Sequence, residues 1–258
     1  MGKILRPALA AALLLASALS ANAAVSLHAI RIQMDPVDHT LNAVDSLHLD
    51  AAVASLEFEL HADLSPSGKD PAITLTELEA EPDSELRRWR IGNVDDSTDK
   101  LWVIAYDGAL HQDVEGTIFG RENVGAEISA TIGEEGVYLA GGQGWYPQVS
   151  PGLKAHRVTC VLPVGWTCVT QGRRLLDRTF AGRHETTWDA SLPSEGINLV
   201  ANRFRVDARR HGETLVETYF FPEDSSLVDG YLDSCVDYLD LYESFLGPYP
   251  YAKFAVVE

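Results

Sequence analysis

Period-two alternation of apolar and polar residues is the feature that most restricts this fold. It recurs from Val25 to about Phe221. In the segment LHAIRIQM, Ile30, Ile32 and Met34 fall on one side and Arg31 and Gln33 on the other. In ASLEFELHADL, Leu56, Phe58 and Leu60 oppose Glu57, Glu59 and His61. Side chains two apart share a face only in a strand, so each stretch predicts a half-buried strand. DSLHLD, ITLTELEA, ELRRWRIG, KLWVIAYDGAL and AEISATI continue the series. Turn residues separate them: Pro36 and Asp38 mark one turn, and Pro66, Ser67 and Gly68 predict a loop. Short strands with one wet face predict a mainly β domain, an antiparallel sandwich or barrel-like sheet pair.

The chain ends differently. In YLDSCVDYLDLYESFLGPYPYAKFAVVE, Val228, Tyr231, Leu232, Cys235, Val236, Leu239, Tyr242 and Leu246 recur at three- and four-residue spacing. That spacing predicts an amphipathic helix over 226–246. Ser225 or Ser226 is the expected N-cap, with Glu223, Asp224 and Asp229 at the positive end of the helix dipole. Gly247 supplies the stop, Pro248 cannot continue the helix, and KFAVV from Lys253 to Val257 reads as a strand. A chain that stops inside an apolar strand is expected to be a fragment, with its main chemistry beyond Glu258.

Residues 1–24 read as a signal peptide. Lys3 and Arg6 form a positive n-region, Ala8–Leu19 is an apolar run short for a membrane span, and Ala21, Asn22 and Ala23 offer a small-residue cleavage site. An uncleaved anchor is the competing reading. No later run is long and apolar enough to span a bilayer. The expectation is export, to a periplasm or out of the cell. The mature length suffices for one large or two ordinary domains. A formal charge of −18 argues against nucleic acid or anionic lipid as partner.

Two phrases carry a family resemblance. LYESFLGPYPYAKFAVVE resembles the entry to the catalytic domain of M1-family zinc metallopeptidases, a helix ending in a Y…G-x-YPY-x-K phrase. Tyr242, Gly247, Tyr249, Pro250, Tyr251 and Lys253 carry it. Leu246 precedes the Gly, with the aromatic Phe245 one place earlier, a small departure. GVYLAGGQGWYPQVSPGLKAHRVTCVLPVGWTCVTQG is similar to a segment of M1 N-terminal domains, through Trp145, Tyr146, Pro147, Pro163, Gly165, Trp166 and Gly172. The longer R-x-x-FPC-x-DEP phrase of many members is absent, so the likeness is to a divergent bacterial branch with a WYP form. Met34–Pro36 adds an LDP-like phrase.

The resemblance implies a saddle-like N-terminal β-domain over 25–222. The first helix and strand of an incomplete, thermolysin-like α/β catalytic domain follow over 223–258. It implies zinc in the full-length parent, peptide substrates, and a missing catalytic domain of its own as partner. Zinc in that family is held by H-E-x-x-H and a further Glu. Here the only His-Glu pair is His184-Glu185, and Trp188 stands where the second His would be. No catalytic, metal or cofactor residue is therefore assigned within this chain, which alone is expected to be inactive. The parent is expected to be an aminopeptidase.

Two residues stand as substrate-binding candidates. Gln143 lies in GGQGWYP, where the family sets a loop against the substrate cleft; the other reading is a flexible turn made by Gly141, Gly142 and Gly144. Glu258 stands near the place of the family's G-x-M-E-N glutamate, but Ala255, Val256 and Val257 supply neither its Gly nor its Met. A strand-end carboxylate is the alternative. His28, His39, His48, His61, His111, His156 and His211 are scattered without ligand spacing and read as surface or satisfied core residues. Trp145 and Tyr146 read as packing residues. Cys160 and Cys168 flank the Pro163–Trp166 turn, and one hairpin register sets them face to face for a disulfide; two buried apolar thiols are the alternative. Cys235 is expected buried and unpaired. A non-catalytic β-sandwich that binds a protein or glycan remains the second functional reading.

Overall fold

The computed structural model describes residues 25–79, 84–93, 100–112 and 130–258. The predicted leader lies outside them, as does the start of AEISATI. Among the described residues seventeen strands run in chain order: β1 (Val25–Asp35), β2 (Thr40–Leu49), β3 (Ser55–His61), β4 (Leu64–Gly68), β5 (Ile73–Glu77), β6 (Leu86–Asn93), β7 (Leu101–Ala109), β8 (Thr131–Gly133) and β9 (Gly136–Leu139). They continue as β10 (Lys154–Pro163), β11 (Thr167–Thr170), β12 (Arg173–Phe180), β13 (Arg183–Ser194), β14 (Leu199–Asn202), β15 (Arg205–His211) and β16 (Thr214–Phe220). A 3-10 turn (Pro222–Leu227), helix α1 (Val228–Leu246) and β17 (Lys253–Val257) complete the chain.

The mainly β class expected from the alternation is what the chain adopts. A seven-stranded sheet has the order β12-β13-β10-β1-β2-β7-β4. Smaller sheets are β11-β14-β9-β8, β3-β6-β5 and β15-β16-β17. Ile30, Ile32, Met34, Leu41, Leu47 and Ile104 of the large sheet pack against Leu60, Ile91, Ile132 and Leu199 of the small ones in one continuous core. Among the described residues the pairings are antiparallel, with two exceptions. β1 and β10 pair in parallel from Leu27↔Ala155 to Gln33↔Val161. β16 and β17 do so from Leu215↔Lys253 to Tyr219↔Val257. Alternation fixes which face a side chain takes and says nothing of strand direction.

Local expectations shift in three places. Pro66, Ser67 and Gly68, expected as a loop, belong to β4, which forms the outer edge beside β7. An edge strand tolerates proline because its outward N–H has no ladder partner to lose. Neither Ser225 nor Ser226 caps α1; both sit in the 3-10 turn, and Leu227 occupies the N-cap without a side-chain bond. The buried stripe of α1 is narrower than the spacing suggests. Val228, Leu232, Cys235 and Leu239 are buried against Val216 and Phe220, while Tyr231, Tyr242 and Leu246 are exposed.

Because β16 and β17 are parallel, α1 is their crossover, a βαβ unit joined to its β15 neighbour. The sequence boundary at 222 runs through that unit. It packs on the β-domain through Tyr219, Ala255 and Val257 against Val169, Trp188 and Phe204.

Candidate functional site

The stretch from Ala140 to Val149 is tied to the edge of β3. His61 N donates to Gly144 O at 2.9 Å, and Glu59 and Gln148 exchange both backbone bonds at 3.0 and 2.9 Å. Gly144 sits at φ 69°, and a Cβ there would stand 2.6 Å from His61 N. Only glycine allows that approach. The closeness pulls Trp145 and Tyr146 wholly into the core, as packing residues.

Below this loop a polar row crosses the buried face of the large sheet. His156 on β10 and His28 on β1 are register partners. On β2, Asp45 opposes Ile30, diagonal to His28; on β7, Tyr106 opposes Ala43, diagonal to Asp45. His28 Nδ1 and Asp45 Oδ2 are 2.6 Å apart, and neither side chain is exposed. The rings of His28 and His156 stack at 5.5 Å between centroids. Tyr146 meets both edge-on, its Oη 3.4 Å from His156 Nε2. Burial, helped by His28 and Lys154, pushes His156 down to about 3, so its ring is neutral at pH 7. Burial pushes Tyr146 up to about 12 and raises Tyr106, with the Asp45 charge adding to both.

The row ends at a cavity of about 290 Å³ whose lining includes His28, Gly142, Lys154, Gln171, Glu195 and Asn198. Lys154 is 5% exposed, and its ammonium donates to Gly152 O at 2.7 Å. Gln171 Oε1 accepts from Asn198 N, and Asn198 Oδ1 accepts from Gly141 N, which fixes the wall.

Neither sequence candidate lines this cavity. Gln143 Oε1 accepts from Ala140 N at 2.9 Å, within its own turn. The carboxylate of Glu258 accepts from Phe221 N at 2.8 Å, at the end of β16. The two are not brought together by any bond between them. His28 and His156, set aside with the scattered histidines, are buried polar residues in contact. Strand parity could have found them, since His28 shares the apolar face of Ile30, Ile32 and Met34.

Zinc does not fit the described residues. His184 commits Nδ1 to Trp166 O at 2.6 Å and Nε2 to Asp177 at 2.8 Å. Glu185 commits one oxygen to Arg31 and the other to Arg178, which together hold its carboxyl below the usual range. Among the described residues no group of three His, Cys, Asp or Glu side chains is placed to hold a metal. Cys160 and Cys168 are free, buried thiols on different sheets; Cys160 opposes Ile32 and Thr186, and Cys168 opposes Ala201, so the expected hairpin register is not formed. Burial, with Cys168 adjacent, pushes the Cys160 thiol up. Cys235 is buried and unpaired, as its place on the helix implies.

The fold is similar to that of solved M1 zinc metallopeptidases. One from Deinococcus radiodurans superposes with a TM-score of 0.64 at 10% identity, covering 90% of this chain and 56% of that one. A mutant of it bound to a Tyr-Ser-Ala substrate gives 0.61 at 11% identity with the same coverages. A mutant two-domain M1 zinc metallopeptidase bound to L-arginine gives 0.62 at 12%, again with the same coverages. The chain therefore spans little more than half the length of these structures. At such identity the likeness is one of fold. No family model matches the sequence, and no curated protein does.

Proposed function

We propose that this chain is the N-terminal part of an exported M1-like zinc metallopeptidase whose missing catalytic domain packs on α1 and β17. The observation that carries the reading is the outward side of α1. Tyr238, Leu241, Tyr242, Phe245 and Leu246 are all at least half exposed, on a single 19-residue helix. Beside it β17 is an outermost strand, paired to β16 alone among the described residues. An apolar helix face and a bare apolar strand edge are together what a further layer of an α/β domain would cover. The M1-like fold supports the identity of that layer, and the leader-like residues 1–24 support export.

On this reading the parent is an aminopeptidase that removes N-terminal residues from peptides. Zinc there would supply an activated water, held by ligands this chain does not contain. The β-domain caps the cleft and limits it to chain ends. Gln143 and Glu258 border that cleft, and each exchanges its backbone partner for substrate when the catalytic domain is in place.

Reading the coding frame past Glu258 tests this. An H-E-x-x-H motif with a downstream Glu is expected. A stop codon at once would overturn it and leave the free-standing binding domain as the reading.

A further inference from the structure

The cavity beside the Gly-rich loop is lined by amides whose orientation the fold has already set. Gln171 Oε1 accepts from Asn198 N at 2.9 Å, and Asn198 Oδ1 accepts from Gly141 N at 2.7 Å. An amide whose oxygen faces a backbone N–H turns its NH2 the other way. Neither NH2 meets a hydrogen-bond partner among the described residues, and both side chains line the cavity. Gln148 adds a third amide and Ser150 a hydroxyl, whose side chains also lack a partner among the described residues. Because backbone bonds hold two of the amides, a ligand would spend little on ordering them.

Charge narrows the occupant. Lys154 and Glu195 bring one charge of each sign to the lining. Burial lowers Lys154, and Glu195 opposes that shift as its counter-charge. A small anion would have to compete with Glu195, and a small cation with Lys154. An apolar molecule would strip water from the amides and the hydroxyl and give no bond in exchange. A neutral molecule rich in hydroxyls meets neither objection. One hydroxyl both donates and accepts, so it can take a bond from an NH2 and give one to a carboxylate at once. A peptide spreads its donors and acceptors along a strand of about 3.3 Å per residue, which suits a groove better than a compact cavity. At about 290 Å³ this one is at the small end of ligand sites, with room for a single sugar ring.

We propose that this cavity binds a neutral sugar ring, with Gln171 Nε2 and Asn198 Nδ2 donating to its hydroxyls and Glu195 accepting from them. The inference does not depend on the peptidase reading, because every group in it belongs to the β-domain of this chain.

Saturation-transfer NMR titrations of the full chain test it. The probes are D-glucose, D-galactose, D-mannose and N-acetyl-D-glucosamine, beside cyclohexanol and N-acetyl-diglycine amide. At least one sugar is expected to bind in the millimolar range. Cyclohexanol is an apolar ring and the diglycine amide a neutral peptide, so each is expected to bind at least about tenfold more weakly. Asn198→Asp and Gln171→Glu keep the oxygen that holds the wall and remove the NH2. Each is expected to weaken the bound sugar about tenfold; if one variant does not fold, the other decides alone. No transfer from any of the sugars at about 50 mM, equal binding of cyclohexanol or the peptide amide, or unaltered sugar binding in a folded variant would each overturn the assignment.

Discussion

The ammonium of Lys253 sits 4.0 Å from the centroid of the Trp188 ring and donates to Thr170 O at 2.5 Å. Lys253 opens β17, while Trp188 and Thr170 belong to β13 and β11 of the β-domain. The lysine of the YPY-x-K phrase therefore pins the βαβ unit to the sheets beneath it. Such a cation–ring contact is worth about 2 kcal/mol when desolvated.

Burial holds Lys253 at about 8, below its usual 10.5, against the opposing pull of Glu217. Between those values the unfolded chain binds a proton that the folded one does not. Stability from this residue therefore rises as pH climbs from 8 to 10.5, by about 3 kcal/mol in all. Lys253→Met should flatten that segment of the curve. Urea midpoints at pH 7.5, 9 and 10.5 for both proteins check it; parallel slopes would count against the buried ammonium.

His156 produces the mirror case in acid. Its ring is 1% exposed and held at about 3, against 6.5 when free. Below pH 6.5 the unfolded chain takes up a proton that the folded one refuses, so stability falls with pH. The loss from this one group between pH 7 and 4.5 is about 3 kcal/mol. His156→Leu should remove it, at the cost of the ring contacts to His28 and Tyr146 and the long contact to Tyr146 Oη. Denaturation curves at pH 7, 5.5 and 4.5 decide, and an equal acid loss in the variant would refute the assignment.

Much of the fold was legible because burial parity is written locally. β1, β3, β6 and β7 follow from alternation, and α1 from its spacing. What no window of sequence contains is the neighbour across the sheet. His28 and His156 meet only because β1 and β10 pair in parallel over more than a hundred intervening residues. Parity marks both as inward, but register alone makes them a pair. The same holds for Asp45 beside His28. Gly144 was legible as a turn residue, yet its contact with β3 depends on where the loop lands. The exposed aromatic side of α1 hid the true stripe, because Tyr231, Tyr242 and Leu246 satisfy helical spacing as well as the buried residues do.

That contact makes Gly144 the most demanding glycine of its loop. At φ 69° an added Cβ would lie 2.5 Å from Leu86 Cδ2, 2.6 Å from His61 N and 3.0 Å from Leu60 C. Two of these are backbone atoms that cannot step aside without breaking the clamp on β3. Gly144→Ala should cost about 3 kcal/mol or more. Gly142 has φ 102° but nothing within 4 Å of its would-be Cβ, so Gly142→Ala should cost only the backbone strain, about 1 kcal/mol. Thermal melts of the two variants separate the effects; equal shifts would show that the close approach is not what constrains Gly144.

Glu217 carries the last prediction. It is 1% exposed on β16, with its carboxylate taking Arg174 Nη2 at 3.1 Å and the hydroxyl of Tyr219 at 2.7 Å. Arg174 also reaches Asp177 at 2.9 Å and lies 5.6 Å over Trp188. A buried ion pair of this kind adds little net stability, yet breaking it from one side strands a charge. Arg174→Met should therefore destabilise by about 3–5 kcal/mol. Adding Glu217→Leu and Tyr219→Phe removes the stranded carboxylate and the hydroxyl that serves it, and should recover most of the loss. Urea unfolding of the single and triple variants measures the difference. If the triple variant were no more stable than Arg174→Met, the cost would lie in lost packing against Trp188 and not in the unpaired charge.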